Sequence, residues 1–369
     1  MKILFLTLKT FSTGGGIEKV CRLAGKAIYE HSKASQEDFA MYSMCDKKEI
    51  KTDPYLPSSV FKGFAGKRWW FVIKSLRQGI KSRVVVLSHI GLLLPGYLIK
   101  LFSAKTKIIL IAHGIEVLKP LSLRHRKMLK SIDLILPVSD FTKEKMKTLF
   151  DLPEKKFRVL NNCLDPFLPA PPDESRRNES RSIYGIAESD IVLMTLSRLS
   201  SKEKSKGYDK MLIAVKKLHT SFPNLKYLFV GKYDADEKRR LDSVIRDLGI
   251  EDDVIFTGFV PDAVLGDFYN MSDVNIIPGE KEGFGFPFIE ALYYNKPVIA
   301  GSNGITGDLD GNNLGTLVDL SSQEDITATI QKVITNIKAF MPNRKLVLEK
   351  FCYPVYKNKW GQILKEVQG

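Results

Sequence analysis

Val274-Asn-Ile-Ile-Pro-Gly-Glu-Lys-Glu282-Gly-Phe-Gly-Phe-Pro-Phe-Ile-Glu290-Ala-Leu-Tyr-Tyr-Asn-Lys-Pro-Val-Ile-Ala300 is the stretch on which the fold turns. It opens with a short apolar run, Val274–Ile277, and closes with another, Pro297–Ala300. Continuous apolar runs of this length suit strands covered on both faces. Between them the spacing predicts a helix over Pro287–Asn295, with Pro287 at a first helical position, where its missing N–H costs nothing. Gly283 and Gly285 precede that helix and let backbone approach a ligand closely. A free helix N-terminus behind such a loop offers N–H groups and partial positive charge to phosphate oxygens. Glu290 lies one turn inside the helix, where a carboxylate can accept from a ribose diol, and Glu282 precedes the loop, where it can face a sugar ring.

The same alternation extends outward in both directions. Towards the C-terminus, Thr316–Val318 is a further strand, followed by helical patterns over 324–339 and 355–367. Upstream, strands are expected at Ile191–Leu196, Tyr227–Val230 and Val254–Thr257, with helices over 209–222 and 236–248. In the N-terminal half, apolar runs at Ile3–Leu8, Val84–Leu87, Ile108–Ala112, Leu134–Val138 and Val159–Leu160 alternate with helical patterns such as 17–29 and 141–150. Such alternation argues for parallel sheets with right-handed crossovers. The proline- and charge-rich segment around Asp165–Ser182 interrupts it. The expected organisation is therefore α/β, with two Rossmann-like domains at 1–165 and 188–350 joined by a linker at 166–187. A C-terminal helix over 351–369 is expected to return to the N-terminal domain. Ligands of open α/β sheets bind at the strands' carboxyl ends, so two such domains facing each other enclose a cleft.

Composition narrows the classes. The four cysteines, Cys21, Cys45, Cys163 and Cys352, form no CxxC unit, which argues for free thiols and against a zinc site or a disulfide framework. The N-terminal apolar run is too short for a signal peptide, and Val84–Ile99 is too interrupted for a spanning helix. No metal-ligand cluster stands out, so neither metal nor cofactor is expected. Net charge is +14, and residues 1–165 hold 30 Lys and Arg against 14 Asp and Glu, so the excess lies wholly in the N-terminal half. That asymmetry points to a polyanionic partner for one face.

Taken as a string, Glu282 to Glu290 with its internal Gly-Phe-Gly resembles the signature of glycosyltransferase family 4, retaining enzymes of the GT-B fold. The resemblance covers nearly the whole chain, with its elements in the family's order. It implies that Glu290 binds the nucleotide ribose and Glu282 lies by the donor sugar, with Gly283, Phe284, Gly285 and Phe286 forming the loop between them. Ser197-Arg198-Leu199 follows the first strand of the C-terminal half, and Lys206-Gly207-Tyr208-Asp209 comes next. Cations near a helix start neutralise a diphosphate leaving group, and the resemblance implies that Arg198 and Lys206 do so; Lys202 and Lys204 are neighbouring alternatives. Thr13-Gly14-Gly15-Gly16-Ile17-Glu18 lacks the full GxGxxG spacing, and as a motif it also reads as a flexible turn. In similar enzymes it closes over the donor, which implies Gly15 and Gly16 as contacts. A lone histidine is more often structural, but His113 ends a strand before Gly114, where the family carries a histidine against the donor sugar. Two places depart from the pattern: Asn162-Cys163 stands where Asn-Gly is usual, and Asp308 has no assigned role.

The resemblance thus implies a retaining hexosyltransferase, taking a nucleotide-diphosphate sugar (a UDP-sugar before GDP-mannose) to a glycan or lipid-linked acceptor in bacterial surface polysaccharide synthesis. Alternatives are a GT-B sugar-nucleotide epimerase and a non-catalytic basic scaffold. Within Phe61–Lys81, Lys74, Arg77 and Lys81 recur at helical spacing beside Trp69, Trp70 and Phe71, and a second basic cluster is Arg124-His-Arg-Lys127 with Lys130. Basic and aromatic residues together suit an anionic membrane surface, giving a cytoplasmic protein peripheral at the inner face of the cell membrane. No nucleic-acid motif is recognised, so no nucleic-acid partner is expected.

Overall fold

The computed structural model describes residues 2–202, 206–279, 283–301 and 314–368. Glu282, Lys204 and Asp308 lie outside the described residues. The chain divides into two compact units, Met1–Cys163 with Phe351–Gly369, and Leu164–Lys350. Each is an open parallel sheet wrapped by helices, the Rossmann-like unit of which the GT-B fold has two.

In the N-terminal unit the strands are β1 (Lys2–Thr7), β2 (Asp38–Ser43), β3 (Phe61–Gly63), β4 (Val84–Leu87), β5 (Lys107–Ala112) and β6 (Leu134–Pro137). They pair in parallel in the order β3-β2-β1-β4-β5-β6. Ile3 to Leu6 and Val84 to Leu87 are fully buried, as continuous apolar runs under two helix layers must be. The helices are α1 (Gly16–Ala34), α2 (Arg68–Gly79), α3 (Leu93–Phe102), α4 (Leu123–Lys130) and α5 (Asp140–Phe150). The C-terminal helix, Tyr353–Gln368, packs on α1 within this same unit. Its apolar stripe, Tyr356, Trp360, Ile363 and Leu364, recurs at helical spacing and is buried. Glu366 pairs with Arg158, and Lys357 reaches Glu30 at 3.4 Å.

The C-terminal unit repeats the design. Its strands are β7 (Ile191–Leu196), β8 (Leu225–Val230), β9 (Val254–Gly258), β10 (Val274–Ile277), β11 (Val298–Ala300) and β12 (Thr316–Leu317), ordered β12-β11-β10-β7-β8-β9. Its helices include α6 (Arg176–Ile183), α7 (Tyr208–Leu218), α8 (Ala235–Leu248), α9 (Leu265–Met271), α10 (Phe286–Tyr293) and α11 (Gln323–Thr335). In each sheet the chain reverses its direction of travel between the first strand and the fourth, β1/β4 and β7/β10, which is where ligands of such sheets sit.

Three readings of the sequence differ from the structure. Val159–Leu160 is no strand; Arg158 and Leu160 donate backbone bonds to Ile135 and Pro137 beside β6 without forming a ladder. β2 and β3 were not expected, because Asp38–Ser43 alternates weakly and Phe61–Gly63 is only three residues long. The segment expected as a linker contains α6, which is packed against α9. Arg181 anchors it: the side chain is buried, donating to Met271 O, Glu188 O and Asp190 O at 2.9–3.0 Å and to Asp273 at 2.8 Å. An arginine in a charged, proline-rich stretch carries no sequence sign that it will be enclosed.

Candidate functional site

The carboxyl edge of the C-terminal sheet gathers the residues read as the diphosphate clamp. Arg198 follows β7 and is exposed; Lys206 precedes α7 and is half-buried. The loop between strand and helix is tied down locally. The Tyr208 hydroxyl donates to Arg198 O at 3.0 Å and sits 2.9 Å from Ser197 Oγ. Asp234 caps α8, accepting from Glu237 N at 2.8 Å, and with its other oxygen accepts from Ser201 N at 2.8 Å. Those two backbone donors, Glu237 first, hold the Asp234 carboxyl down at about 2. Asp234 thus staples the Arg198 loop to the next βα turn. Its sequence sign was the Asp-Ala-Asp-Glu start of α8, an N-cap pattern.

Gly207 joins this loop to the one after β10. Its φ is +73°, and a Cβ there would lie 2.2 Å from Pro278 O. Only glycine allows that approach, which sets the N-terminus of α7 against the strand neighbouring β7. From Pro278 the chain leads to Gly283, Phe284, Gly285 and Phe286, which the structure places at the start of α10. Gly285 is its N-cap, at φ +88° and ψ +73°. Phe284 and Phe286 are buried, their rings 5.7 Å apart. Two helix N-termini, α7 and α10, therefore arise from adjacent strands at one edge, with Arg198 and Lys206 on the first. That arrangement suits a diphosphate.

Glu290 lies in the second turn of α10 and is only 2 % exposed. Its carboxylate accepts from the Tyr269 hydroxyl at 3.2 Å. Burial first, then the Glu290 charge, pushes the Tyr269 phenol well above its ordinary range, so Tyr269 stays a donor. Tyr269 stacks on Tyr294 at 4.9 Å. Sequence reasoning missed Tyr269, which lies two elements away on α9.

At the carboxyl edge of the N-terminal sheet, His113 follows β5 and is 8 % exposed. Its backbone N–H donates to Glu116 Oε1 at 2.6 Å, and Nε2 lies 2.6 Å from Ser88 O. A carbonyl can only accept, so Nε2 carries the proton and Nδ1 is left as an acceptor. Nδ1 is buried without a partner among the described residues, an orphan that a ligand hydroxyl would satisfy. Neighbouring His89 accepts from Gly91 N at 2.8 Å, and burial lowers its pKa.

The glycine loop lies at the end of β1 in the same unit, with Gly15 and Gly16 exposed. Asp46, fully buried, fixes the loop's root by accepting from Thr10 N at 2.8 Å, Ser12 N at 2.9 Å and Ser43 Oγ at 2.7 Å. Glu18 folds back over Gly15, its Oε2 2.4 Å from where a Cβ would stand, and accepts from Thr13 Oγ1 at 3.0 Å. A carboxylate at the N-terminus of α1 disfavours a phosphate there and suits a neutral hydroxyl. Asp46 escaped the sequence reading because β2, which delivers it, did too.

Among the described residues no group of three or more His, Cys, Asp or Glu is placed to hold a metal ion, and no helix is long and apolar enough to cross a membrane. None of the four cysteines forms a disulfide; burial pushes the Cys21 thiol up to about 12, and Cys163 is buried.

The basic and aromatic residues of the N-terminal unit separate cleanly. Trp69 and Trp70 are 82 % and 60 % exposed, but Phe61, Phe64 and Phe71 are core, so Phe71 does not join the surface as expected. Lys81 lies beyond the end of α2. Helices α2, α3 and α4 are successive neighbours. Their outward residues include Ile73, Leu94, Leu101, Phe102 and Leu123, interspersed with exposed Lys67, Arg68, Arg77, Arg124 and Lys127.

Residues 176–343 match the family model described as glycosyl transferases group 1. An uncharacterized glycosyltransferase of Methanocaldococcus jannaschii is 27% identical over 239 residues, covering 63% of this chain and 58% of that protein. A GDP-mannose-dependent alpha-(1-6)-phosphatidylinositol monomannoside mannosyltransferase of Mycolicibacterium smegmatis is 28% identical over 220 residues, covering 57% and 55%. The chain thus spans about half the length of the curated relatives it matches. Among solved structures, Anabaena HepE in complex with UDP superposes with a TM-score of 0.83 at 19% identity, covering 99% of this chain and 100% of that one. The likeness to solved structures shows the fold, and residues 176–343 are similar to the group 1 glycosyl transferases.

Proposed function

We propose that this chain is a retaining glycosyltransferase that moves a hexose from a nucleotide-diphosphate sugar to a glycan or lipid-linked acceptor. The observation that carries the reading is the pair of helix N-termini, α7 and α10, on adjacent strands with Arg198 and Lys206 beside them, inside the segment that matches the group 1 transferases. In the proposed reaction the bond from the anomeric carbon to the diphosphate oxygen breaks. Arg198, Lys206 and the helix N-termini stabilise the charge left on the diphosphate. The acceptor hydroxyl bonds to the anomeric carbon on the same face, and its proton passes to the departing phosphate oxygen. Glu290 holds the ribose, with Tyr269 fixing its carboxylate. His113 offers Nδ1 to a sugar hydroxyl, Glu282 lies by the ring, and Gly15 and Gly16 contact the donor's polar groups. UDP-sugars are favoured over GDP-mannose, and the synthesis of bacterial surface polysaccharide is the proposed setting.

A ligand that binds the native state raises its stability by mass action. A thermal-shift panel of UDP, GDP, ADP and their sugars therefore identifies the donor. No shift with any nucleotide, in a protein otherwise folded, would sink the proposal.

The layer α2–α3–α4 supports a second element: docking on an anionic bilayer at the inner face of the cell membrane. Exposed tryptophans among cations match the interfacial composition, with apolar side chains for the acyl boundary and charge for the headgroups. Liposomes containing anionic lipid should pellet the protein at low salt and release it as screening rises. Replacing Lys67, Arg68, Lys74 and Arg77 by Gln should abolish pelleting; equal pelleting of that variant points to a soluble acceptor instead.

A further inference from the structure

Helix α10 has two ends, and its C-terminal one is also built. Asn295 takes the left-handed conformation at φ +57°. Lys296 N then bonds Ala291 O at 2.9 Å and Asn295 N bonds Leu292 O at 3.1 Å. This paired closure of a helix end fixes Lys296 just before β11. A cleft of about 350 Å3 opens there, at the amino edge of β10 and β11, opposite the edge that carries Arg198 and Gly285. Every residue lining it belongs to the C-terminal unit.

Its charges do not balance. Asp273 shares its carboxylate between Arg181 at 2.8 Å, Val192 N at 2.8 Å and Arg177. Glu174 approaches Arg177 at 3.5 Å but is mostly in solvent. The Lys296 ammonium has one hydrogen-bond partner among the described residues, Asn270 O at 3.2 Å, and no carboxylate within 4.0 Å. Among the described residues Arg177 and Arg181 are ion-paired with Glu174 and Asp273, and Lys296, which borders the cleft beside Arg177, is paired with neither carboxylate. Burial first, then Arg177, lowers the Lys296 pKa to about 8. An ammonium enclosed in this way, with N–H donors to spare, is stabilised by an anion. The remaining walls are Pro171, Pro172, Ile337 and Met341, with the Tyr294 ring beside them. They suit an apolar body of single-ring size.

We infer that this cleft binds a small organic anion, a carboxylate or phosphate ester whose charged group meets Lys296 and whose body lies against Pro171, Pro172, Ile337 and Met341. The site is separate from the proposed donor site and does not depend on the transferase reading.

Calorimetric titration with benzoate, glucose 6-phosphate and inorganic phosphate tests it on four proteins: wild type, Lys296→Met, Met341→Trp and Arg198→Ala. At least one organic anion should bind wild type. Lys296→Met should weaken it about tenfold or more, the scale of one charge-assisted bond. Met341→Trp fills the cleft from a partly exposed position, so the fold tolerates it, and should weaken the same ligand. Arg198→Ala should leave its affinity unchanged. Inorganic phosphate binding as tightly as the organic anions would overturn the inference, because the walls would then hold nothing. Binding lost in Arg198→Ala and kept in both cleft variants would overturn the inference, as would no binding of any probe to wild type.

Discussion

Gly207 is where a small perturbation tests the geometry of the clamp. Alanine at this position meets two separate costs. The backbone sits at φ +73°, where an L side chain costs about 1–2 kcal/mol. The new Cβ would also stand 2.2 Å from Pro278 O and 3.0 Å from Pro278 C. Both are backbone atoms and cannot rotate away, so the N-terminus of α7 must part from the β10 loop by about 1 Å to restore ordinary contact, a strain of about 1–3 kcal/mol more. A misplacement of that size at a catalytic constellation can cost about 10²-fold in rate. Gly185 supplies the control. Its φ is +67°, but a Cβ there meets nothing within 4 Å. Gly185→Ala should therefore lower the melting temperature only by the backbone term and leave turnover intact. Gly207→Ala should melt lower still and lose about two orders of magnitude in kcat/KM with the donor identified by thermal shift. Equal melting losses in the two variants, with unimpaired turnover in Gly207→Ala, would refute the claim that close approach at Gly207 sets the clamp.

Further outcomes follow from the same contacts. Arg198→Ala or Lys206→Ala should each lower transfer by about 10²-fold or more, the scale for one lost charge-stabilising donor, measured at saturating donor. Glu290→Ala should weaken nucleotide affinity by calorimetry and Glu290→Gln should weaken it less; unchanged affinity in the alanine variant removes Glu290 from the site. Asp273→Ala leaves the guanidinium of Arg181, 1% exposed, without its carboxylate, and should destabilise by about 3–5 kcal/mol in denaturant unfolding. Lys296 works in the opposite direction. Its pKa in the folded chain, about 8, is below the ordinary 10.5, so the unfolded state holds the proton more tightly and stability rises with pH across that window. Lys296→Met should accordingly be more stable than wild type below pH 8, by up to about 3 kcal/mol, with the gap closing by pH 10.5. A gap that does not vary with pH would show that burial of the ammonium carries no such cost.

Much of this protein was legible in its chain. Val84–Leu87, Ile191–Leu196 and Val274–Ile277 are strands at the residues expected, because a strand enclosed on both faces must be apolar throughout and announces itself. The glycines and Pro287 marked the start of α10 for a similarly local reason: its backbone angles admit few other residues. What no local pattern contains is the company a side chain keeps. Trp69, Trp70 and Phe71 are consecutive aromatics, yet two face solvent and one is core, a division made by the packing of α2 against the sheet. Arg181 reads as a solvated charge in a linker and proves a buried anchor, because the carbonyls of nearby Asp190 and distant Met271 converge on it. Tyr269 on Glu290, Asp46 beneath the glycine loop and the Nδ1 of His113, without a partner among the described residues, arise where elements distant in sequence are brought together. Strand order is set by long-range pairing, so residues that share a site without sharing a segment are joined only once the sheets have formed.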